Sequence, residues 1–197
     1  IIFDLGGVLL RTADFSPRDR LAARLRMSRY DLEELVFGGE SGDRAQRGEI
    51  SVSEHWRVIQ QKLNCSLDEL TAMLDEFFDQ DEIDVGLLSY IRKLHQNYKT
   101  ALLSNAWDDL RQVIAEKWHF EDAFDTMVIS GEVGMAKPDP RIFQLALDRL
   151  GVEAQQAVFI DDMQRNIEGA RQAGLQAIRF QTFPKLRSDL ELLLNGR

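Results

Sequence analysis

From Asp84 to its end the chain alternates short apolar runs with amphipathic helical segments, and this limits the fold more than anything else in it. The runs Thr100-Ala101-Leu102-Leu103, Thr126-Met127-Val128-Ile129, Ala157-Val158-Phe159-Ile160 and residues 176–180 read as buried strands. Helices are expected over residues 86–95, 108–118, 141–150, 164–173 and 186–194, with Asp139-Pro140 opening the third and Gly151 ending it. A further apolar, β-branched run, Ile1-Ile2-Phe3, opens the chain. Strand and helix in strict succession imply an α/β fold: a doubly wound, Rossmann-like parallel sheet with helices on both faces.

One long stretch breaks the alternation. Between the first two strands, residues 14–80 carry only helical signals. Ser16-Pro17 reads as an N-cap followed by a helical proline, with Leu21 and Leu25 on one face. A short helix is expected near residues 30–37, broken by Gly38-Gly39 and Ser41-Gly42. Ser51-Val52-Ser53-Glu54 and Ser66-Leu67-Asp68-Glu69 are capping boxes that open helices through Leu63 and Phe78. Roughly four short helices follow from this reading, with Trp56, Phe77 and Phe78 in their core. The expected division is an α/β core of residues 1–13 and 81–197 and a helical cap of residues 14–80.

The ends of the strands carry the chemistry. Strand one ends in Asp4, strand two in Ser104-Asn105 and strand four in Asp161-Asp162, while Lys137 follows strand three in Gly134-Met135-Ala136-Lys137-Pro138. In a parallel sheet these ends share one rim, where open α/β sheets bind ligands. Gly6 and Gly7 let backbone amides approach an anion closely. Clustered carboxylates need a counter-cation, and oxygen ligands suit Mg²⁺, which bridges readily to phosphate. Asp4 would then be placed to attack phosphorus.

Composition removes several alternatives. A net charge of -9 over 197 residues disfavours a nucleic-acid binder. Cys65 is the sole cysteine, so no intrachain disulfide can form. No apolar run approaches membrane-spanning length, and no basic, apolar leader is visible, so a cytoplasmic protein is expected. His55, His95 and His119 lack metal-ligand spacing. Oligomeric state is not legible.

The motifs Asp4-Leu5-Gly6-Gly7-Val8, Leu102-Leu103-Ser104-Asn105, Met135-Ala136-Lys137-Pro138 and Phe159-Ile160-Asp161-Asp162 resemble, in order and spacing, those of the haloacid dehalogenase (HAD) superfamily, in the branch with a helical cap after the first motif. The resemblance spans essentially the whole chain. It implies that Asp4 is a nucleophile and, with the Gly6 carbonyl and Asp162, a Mg²⁺ ligand, Asp161 acting through water. Leu5, Gly6, Ser104, Asn105 and Lys137 would hold phosphate, and Lys137 would relieve repulsion around Asp4. Asn166, Trp107 and Arg47 are supporting candidates: Asn166 to brace the metal site, Trp107 to stack on substrate, Arg47 (with Arg44) to meet an anion from the cap. The same resemblance would set strand one beside strand four.

One position departs from the pattern. The family's phosphatases usually carry a second Asp two residues after the nucleophile, as general acid and base; here that residue is Gly6. Asp108 and His55 are weak substitutes. The implied activity is Mg²⁺-dependent hydrolysis of a small phosphorylated metabolite, a sugar phosphate being one candidate, through an aspartyl-phosphate. Hydrolysis of C–halogen or phosphonate C–P bonds is an alternative, and a weakly catalytic phosphate-binding module is a second.

Overall fold

The computed structural model describes residues 1–195. Its strands are β1 (Ile2–Phe3), β2 (Leu10–Thr12), β3 (Asp81–Ile83), β4 (Ala101–Ser104), β5 (Thr126–Ile129), β6 (Val158–Asp161) and β7 (Gln176–Arg179). Five of them form one parallel sheet in the order β5-β4-β1-β6-β7. β1 lies at its centre, with Ile2 opposite Ala101 on one side and Phe159 on the other. The expected neighbourhood of strand one and strand four, β6 here, is therefore present.

Alternation along each strand distributes the apolar side chains between two cores. Phe3, Leu102, Met127, Ile129 and Ile160 enter one; Ile2, Ala101, Leu103, Val128 and Phe159 enter the other. Leu87, Ile91, Leu186 and Leu190 cover the first face from α6 (Val85–His95) and the C-terminal helix, and Ile142, Phe143, Leu147 and Ile167 cover the second. Polar groups are thus driven off both faces and out to the strand ends.

Between β1 and β4 lies the helical insert: α1 (Ser16–Arg24), α2 (Arg29–Phe37), α3 (Gly39–Gln46), α4 (Val52–Leu63) and α5 (Leu67–Phe78). It hangs from an antiparallel two-stranded stem, β2 against β3, closed by the Ala13 amide on the Gln80 carbonyl at 2.8 Å. Leu21, Leu32, Val36, Ile59, Leu70 and Phe77 form its own buried cluster, against which Trp56 and Phe78 pack. The capping boxes at Ser51 and Ser66 form as expected, and Ser28 with Asp31 forms a third.

Three local expectations are corrected. The insert has five helices rather than four, because the glycine-containing run after Phe37 is itself helical. Gly42 serves close packing there: a Cβ would stand 2.8 Å from the Phe37 carbonyl oxygen. Asp14, not Ser16, satisfies the first turn of α1, accepting from the Ser16 amide at 2.8 Å and its hydroxyl at 2.7 Å. The helix expected over residues 108–118 is the single turn α7 (Leu110–Val113) followed by a wider π turn over residues 114–118. That turn lets Trp118 stack on Phe120 at 6.2 Å and 10°. The remaining helices, α8 (Ser130–Val133), α9 (Pro140–Leu150), α10 (Gln164–Gln172) and α11 (Phe183–Asn195), follow the strands as the alternation requires, α11 starting earlier than residue 186. No helix among the described residues is long and apolar enough to cross a membrane.

Candidate active site

Asp4 leaves the end of β1, where its amide still donates to the Ile160 carbonyl at 2.9 Å. The chain then doubles back, the Leu9 and Leu10 amides both donating to the Leu5 carbonyl at 2.8 Å. That tight return keeps Asp4 at the rim beside the ends of β4 and β6. Asp4 is 6% exposed and Asp161 0%. Lys137, 4% exposed, lies between them: its Nζ stands 2.6 Å from Asp4 Oδ1 and 2.8 Å from Asp161 Oδ2. Asp162 is half-buried, and carboxylate oxygens of Asp4, Asp161 and Asp162 lie within 4.8 Å of one another.

The electrostatics follow from this crowding. Burial pushes the Asp4 carboxyl up to about 7; Asp161 adds to the rise, while the Lys137 ammonium and the Leu5 amide oppose it. Asp162 is also raised, first by burial and then by the charge of Asp161. Three acids thus share one buried ammonium, which pairs with Asp4 and Asp161, while the Arg179 guanidinium acts weakly on Asp162. Mutually close, oxygen-only and short of positive charge, they are a donor set that fits a hard divalent cation such as Mg²⁺.

The neighbours of each group explain how it stays in place. Asp161 accepts from the Met163 amide at 2.7 Å and from Asn166 Nδ2 at 3.0 and 3.2 Å, so Asn166 braces the buried acid. The other end of that amide, Asn166 Oδ1, is buried without a protein partner. Gly7 has φ +76°, and a Cβ there would lie 2.4 Å from Asp162 Oδ2; only glycine allows this approach. Gly6 is different: its φ is not positive, and a Cβ there would meet nothing within 4 Å. Ser104 is 3% exposed at the end of β4.

The other sequence candidates fall elsewhere. Asn105 spends its side chain on the Lys137 backbone, donating to its carbonyl at 2.9 Å and accepting from its amide at 2.8 Å. Trp107 points into the helical insert, stacked on Phe37 at 5.7 Å and edge-on to Trp56 at 4.8 Å. Arg47 pairs with Glu49 at 2.7 Å on the surface of the insert, and Arg44 joins the same carboxylate at 3.5 Å. Asp108 caps α4 by accepting from the Val52 amide at 3.0 Å, and His55 is fully buried in the insert. The clamp by Asn105 and the docking of Trp107 have no periodicity or motif that would have revealed them.

With this geometry in hand, the likenesses to known proteins become informative. A family model described as haloacid dehalogenase-like hydrolase matches residues 1–174. D-ribitol-5-phosphate phosphatase of Bacteroides thetaiotaomicron is 26% identical over 214 residues, covering 100% of this chain and 98% of that protein. Bifunctional epoxide hydrolase 2 of Sus scrofa is 28% identical over 211 residues, covering 96% of this chain but 38% of that protein. The chain spans well under half the length of several curated relatives it matches. A HAD family enzyme of Bacteroides thetaiotaomicron, crystallised with magnesium and inorganic phosphate, shares the fold with a TM-score of 0.75 and 24% identity, over 92% of this chain and 93% of that one. Motif order, sheet order and a family match across most of its length agree: the chain belongs to the haloacid dehalogenase-like hydrolases.

Proposed function

We propose that this protein hydrolyses a small phosphomonoester, with Asp4 as nucleophile and Mg²⁺ held by Asp4, Asp162 and the Gly6 carbonyl, Asp161 behind them. The observation that carries this reading is the set of three carboxylates within 4.8 Å balanced by a single ammonium. When bound, Mg²⁺ supplies the positive charge that keeps these acids ionised together and offsets charge on a phosphoryl group. Lys137 favours the anionic form of Asp4 against the effect of burial and orients the attacking oxygen. That oxygen forms a bond to phosphorus as the ester P–O bond breaks, leaving an alkoxide and an aspartyl-phosphate. The alkoxide takes a proton from water, and a water molecule then attacks phosphorus, breaking its bond to the Asp4 oxygen and releasing inorganic phosphate and the free carboxylate. The Ser104 hydroxyl, the Lys137 ammonium and the backbone of Leu5 and Gly6 hold the phosphoryl oxygens. The helical insert acts as a cap of residues 14–80 that selects small substrates, a sugar or sugar-alcohol phosphate among them. Cytoplasmic placement accords with the sole cysteine.

A second reading, a phosphate-binding module with little turnover, is favoured by Gly6, which offers no acid for the leaving oxygen. One experiment separates the two. A panel of phosphate esters, including p-nitrophenyl phosphate and D-ribitol 5-phosphate, is assayed with Mg²⁺ and with EDTA. Phosphate release that needs Mg²⁺ supports the hydrolase. Phosphate binding by calorimetry without release from any ester supports the module.

A further inference from the structure

Lysine is a flexible side chain ending in a point charge, and a buried ammonium must be fixed by something other than its own stem. Here the stem starts from a loop between α8 and α9, outside any strand. Both backbone groups of Lys137 are nevertheless taken, and by a single side chain. Asn105 Nδ2 donates to the Lys137 carbonyl at 2.9 Å, and Asn105 Oδ1 accepts from the Lys137 amide at 2.8 Å. A carboxamide is the side-chain group that offers one donor and one acceptor at the spacing of a peptide edge. Asn105 thus stands in for the neighbouring strand that the loop lacks. The next residue is wedged too: Gly169 on α10 brings its backbone so near Pro138 that a Cβ would lie 2.8 Å from the Pro138 carbonyl oxygen.

We propose that Asn105 is a positioning residue for Lys137 and not a ligand of the phosphate. It acts through the lysine: the clamp sets the point from which the Lys137 stem reaches its 2.6 and 2.8 Å contacts with Asp4 and Asp161. Because Asn105 directly follows Ser104, the clamp also ties the strand end that carries the hydroxyl to the loop that carries the ammonium. The proposal rests on the hydrolase reading above for its kinetic arm. Its structural arm, the protection of the Lys137 amide, does not depend on that reading.

The test compares wild type with Asn105→Ala and Asn105→Asp in three measurements: amide hydrogen exchange at Lys137, kcat and KM on p-nitrophenyl phosphate with Mg²⁺, and inhibition by inorganic phosphate. Asn105→Ala should speed exchange at Lys137 and lower kcat about 10- to 100-fold, the scale of a misplaced catalytic group. Phosphate inhibition should weaken by no more than kcat falls, because the only phosphate contact disturbed is that of the displaced Lys137. Asn105→Asp supplies a sharper signature. Ionised, it can accept from the Lys137 amide but repels the Lys137 carbonyl; protonated, it recovers both roles. The ratio of its kcat to that of wild type should therefore climb as pH falls from 8 to 5. Unchanged exchange at Lys137 in Asn105→Ala overturns the clamp. An intact kcat with phosphate inhibition weakened tenfold or more overturns it in favour of a phosphate ligand. A wild-type protein without Mg²⁺-dependent turnover would sink the hydrolase reading instead, and exchange alone then decides the clamp.

Discussion

The strand-end acid cluster and the junction of the helical insert with the core bury difficult groups by opposite means. At the rim, Asp4, Asp161 and Lys137 are ionisable groups almost wholly out of water, and each is held by short, directional bonds. At the junction, Trp107 of the core enters an aromatic group of Phe37, His55, Trp56 and Phe78, held mainly by packing. Directional bonds define one geometry and lose most of their value when bent. Packing is non-directional and tolerates small shifts. The contrast predicts that the insert can shift at the junction without disturbing the acids.

The largest expected effect breaks the rim. Asp4→Asn keeps the shape of the side chain and removes the nucleophile, so turnover should fall by roughly 10⁴-fold or more while the fold survives. The same variant carries a pH signature. Without metal, burial holds the Asp4 carboxyl near 7 against its ordinary 3.8. The folded protein then binds more protons than the unfolded chain between those values. Asp4 thus contributes stability that is present at low pH and lost as pH rises through about 7. In EDTA, melting of the wild type should worsen between pH 5 and 8 relative to Asp4→Asn. Equal slopes for the two proteins would mean that Asp4 is not raised.

The next effect concerns the open space at Gly6. A Cβ there meets nothing within 4 Å and φ is not positive, so Gly6→Asp should fold normally. It restores an acid where the family's phosphatases carry one. General acid catalysis is worth about 10²- to 10⁴-fold, and an introduced, unoptimised acid should recover the lower part of that range. Alkyl phosphates, whose leaving groups need a proton, should gain more than p-nitrophenyl phosphate, whose leaving group does not. Equal gains on both, or none, with Mg²⁺ affinity intact, would show that leaving-group protonation does not limit turnover.

How much of this was legible beforehand follows the same division. Asp4, Ser104, Asp161 and Asp162 were readable because a parallel sheet sends every strand end to one rim and apolar runs mark where strands end, and Lys137 only through its motif on the loop that follows β5. The insert's helices were readable where capping boxes announce them, at Ser51 and Ser66. Gly42 misled, because a glycine that permits close helix contact looks in sequence like one that breaks a helix. The stem was missed because β2 and β3 are three residues each and too short to show alternation. Asn105 and Trp107 lie within three residues of Ser104, yet their partners lie on a distant loop and in the insert. Only the folded chain brings those partners near.

A smaller effect tests the junction. Trp107→Ala removes the ring that joins core to insert, and large-to-small changes of this kind cost about 3 kcal/mol in a packed site. Trp107 Nε1 is buried without a partner, so Trp107→Phe removes an unpaired donor and should cost less than Trp107→Ala. Proteolysis of the insert and Mg²⁺ affinity measured together check the division: the alanine variant should be cut faster while Mg²⁺ affinity changes by less than about twofold. A parallel loss of Mg²⁺ affinity would show that junction and rim are one cooperative unit.

The smallest effect separates the two regions by sign. His55 is fully buried in the insert, and burial lowers its pKa below the ordinary histidine value. The Val36 carbonyl, 2.9 Å from Nε2, can only accept, so Nε2 carries the hydrogen, and Nδ1 accepts from the Ser41 hydroxyl at 2.9 Å. A neutral ring satisfies both partners. The unfolded chain takes up its proton near the ordinary value, and the folded protein resists until lower pH. Stability from His55 is therefore complete above about 6.5 and declines as pH falls below it. Asp4 acts in the reverse direction over an overlapping range, so the wild-type curve alone mixes the two. The difference between wild type and His55→Phe, measured by urea unfolding with Mg²⁺ present, isolates the ring. That difference should shrink as pH goes from 7 to 5, with a slope no steeper than about 1.4 kcal/mol per pH unit, the limit for one proton. A constant difference would mean that His55 titrates alike in the folded and unfolded chain, and that the polar pair at the junction is wetter than its burial indicates.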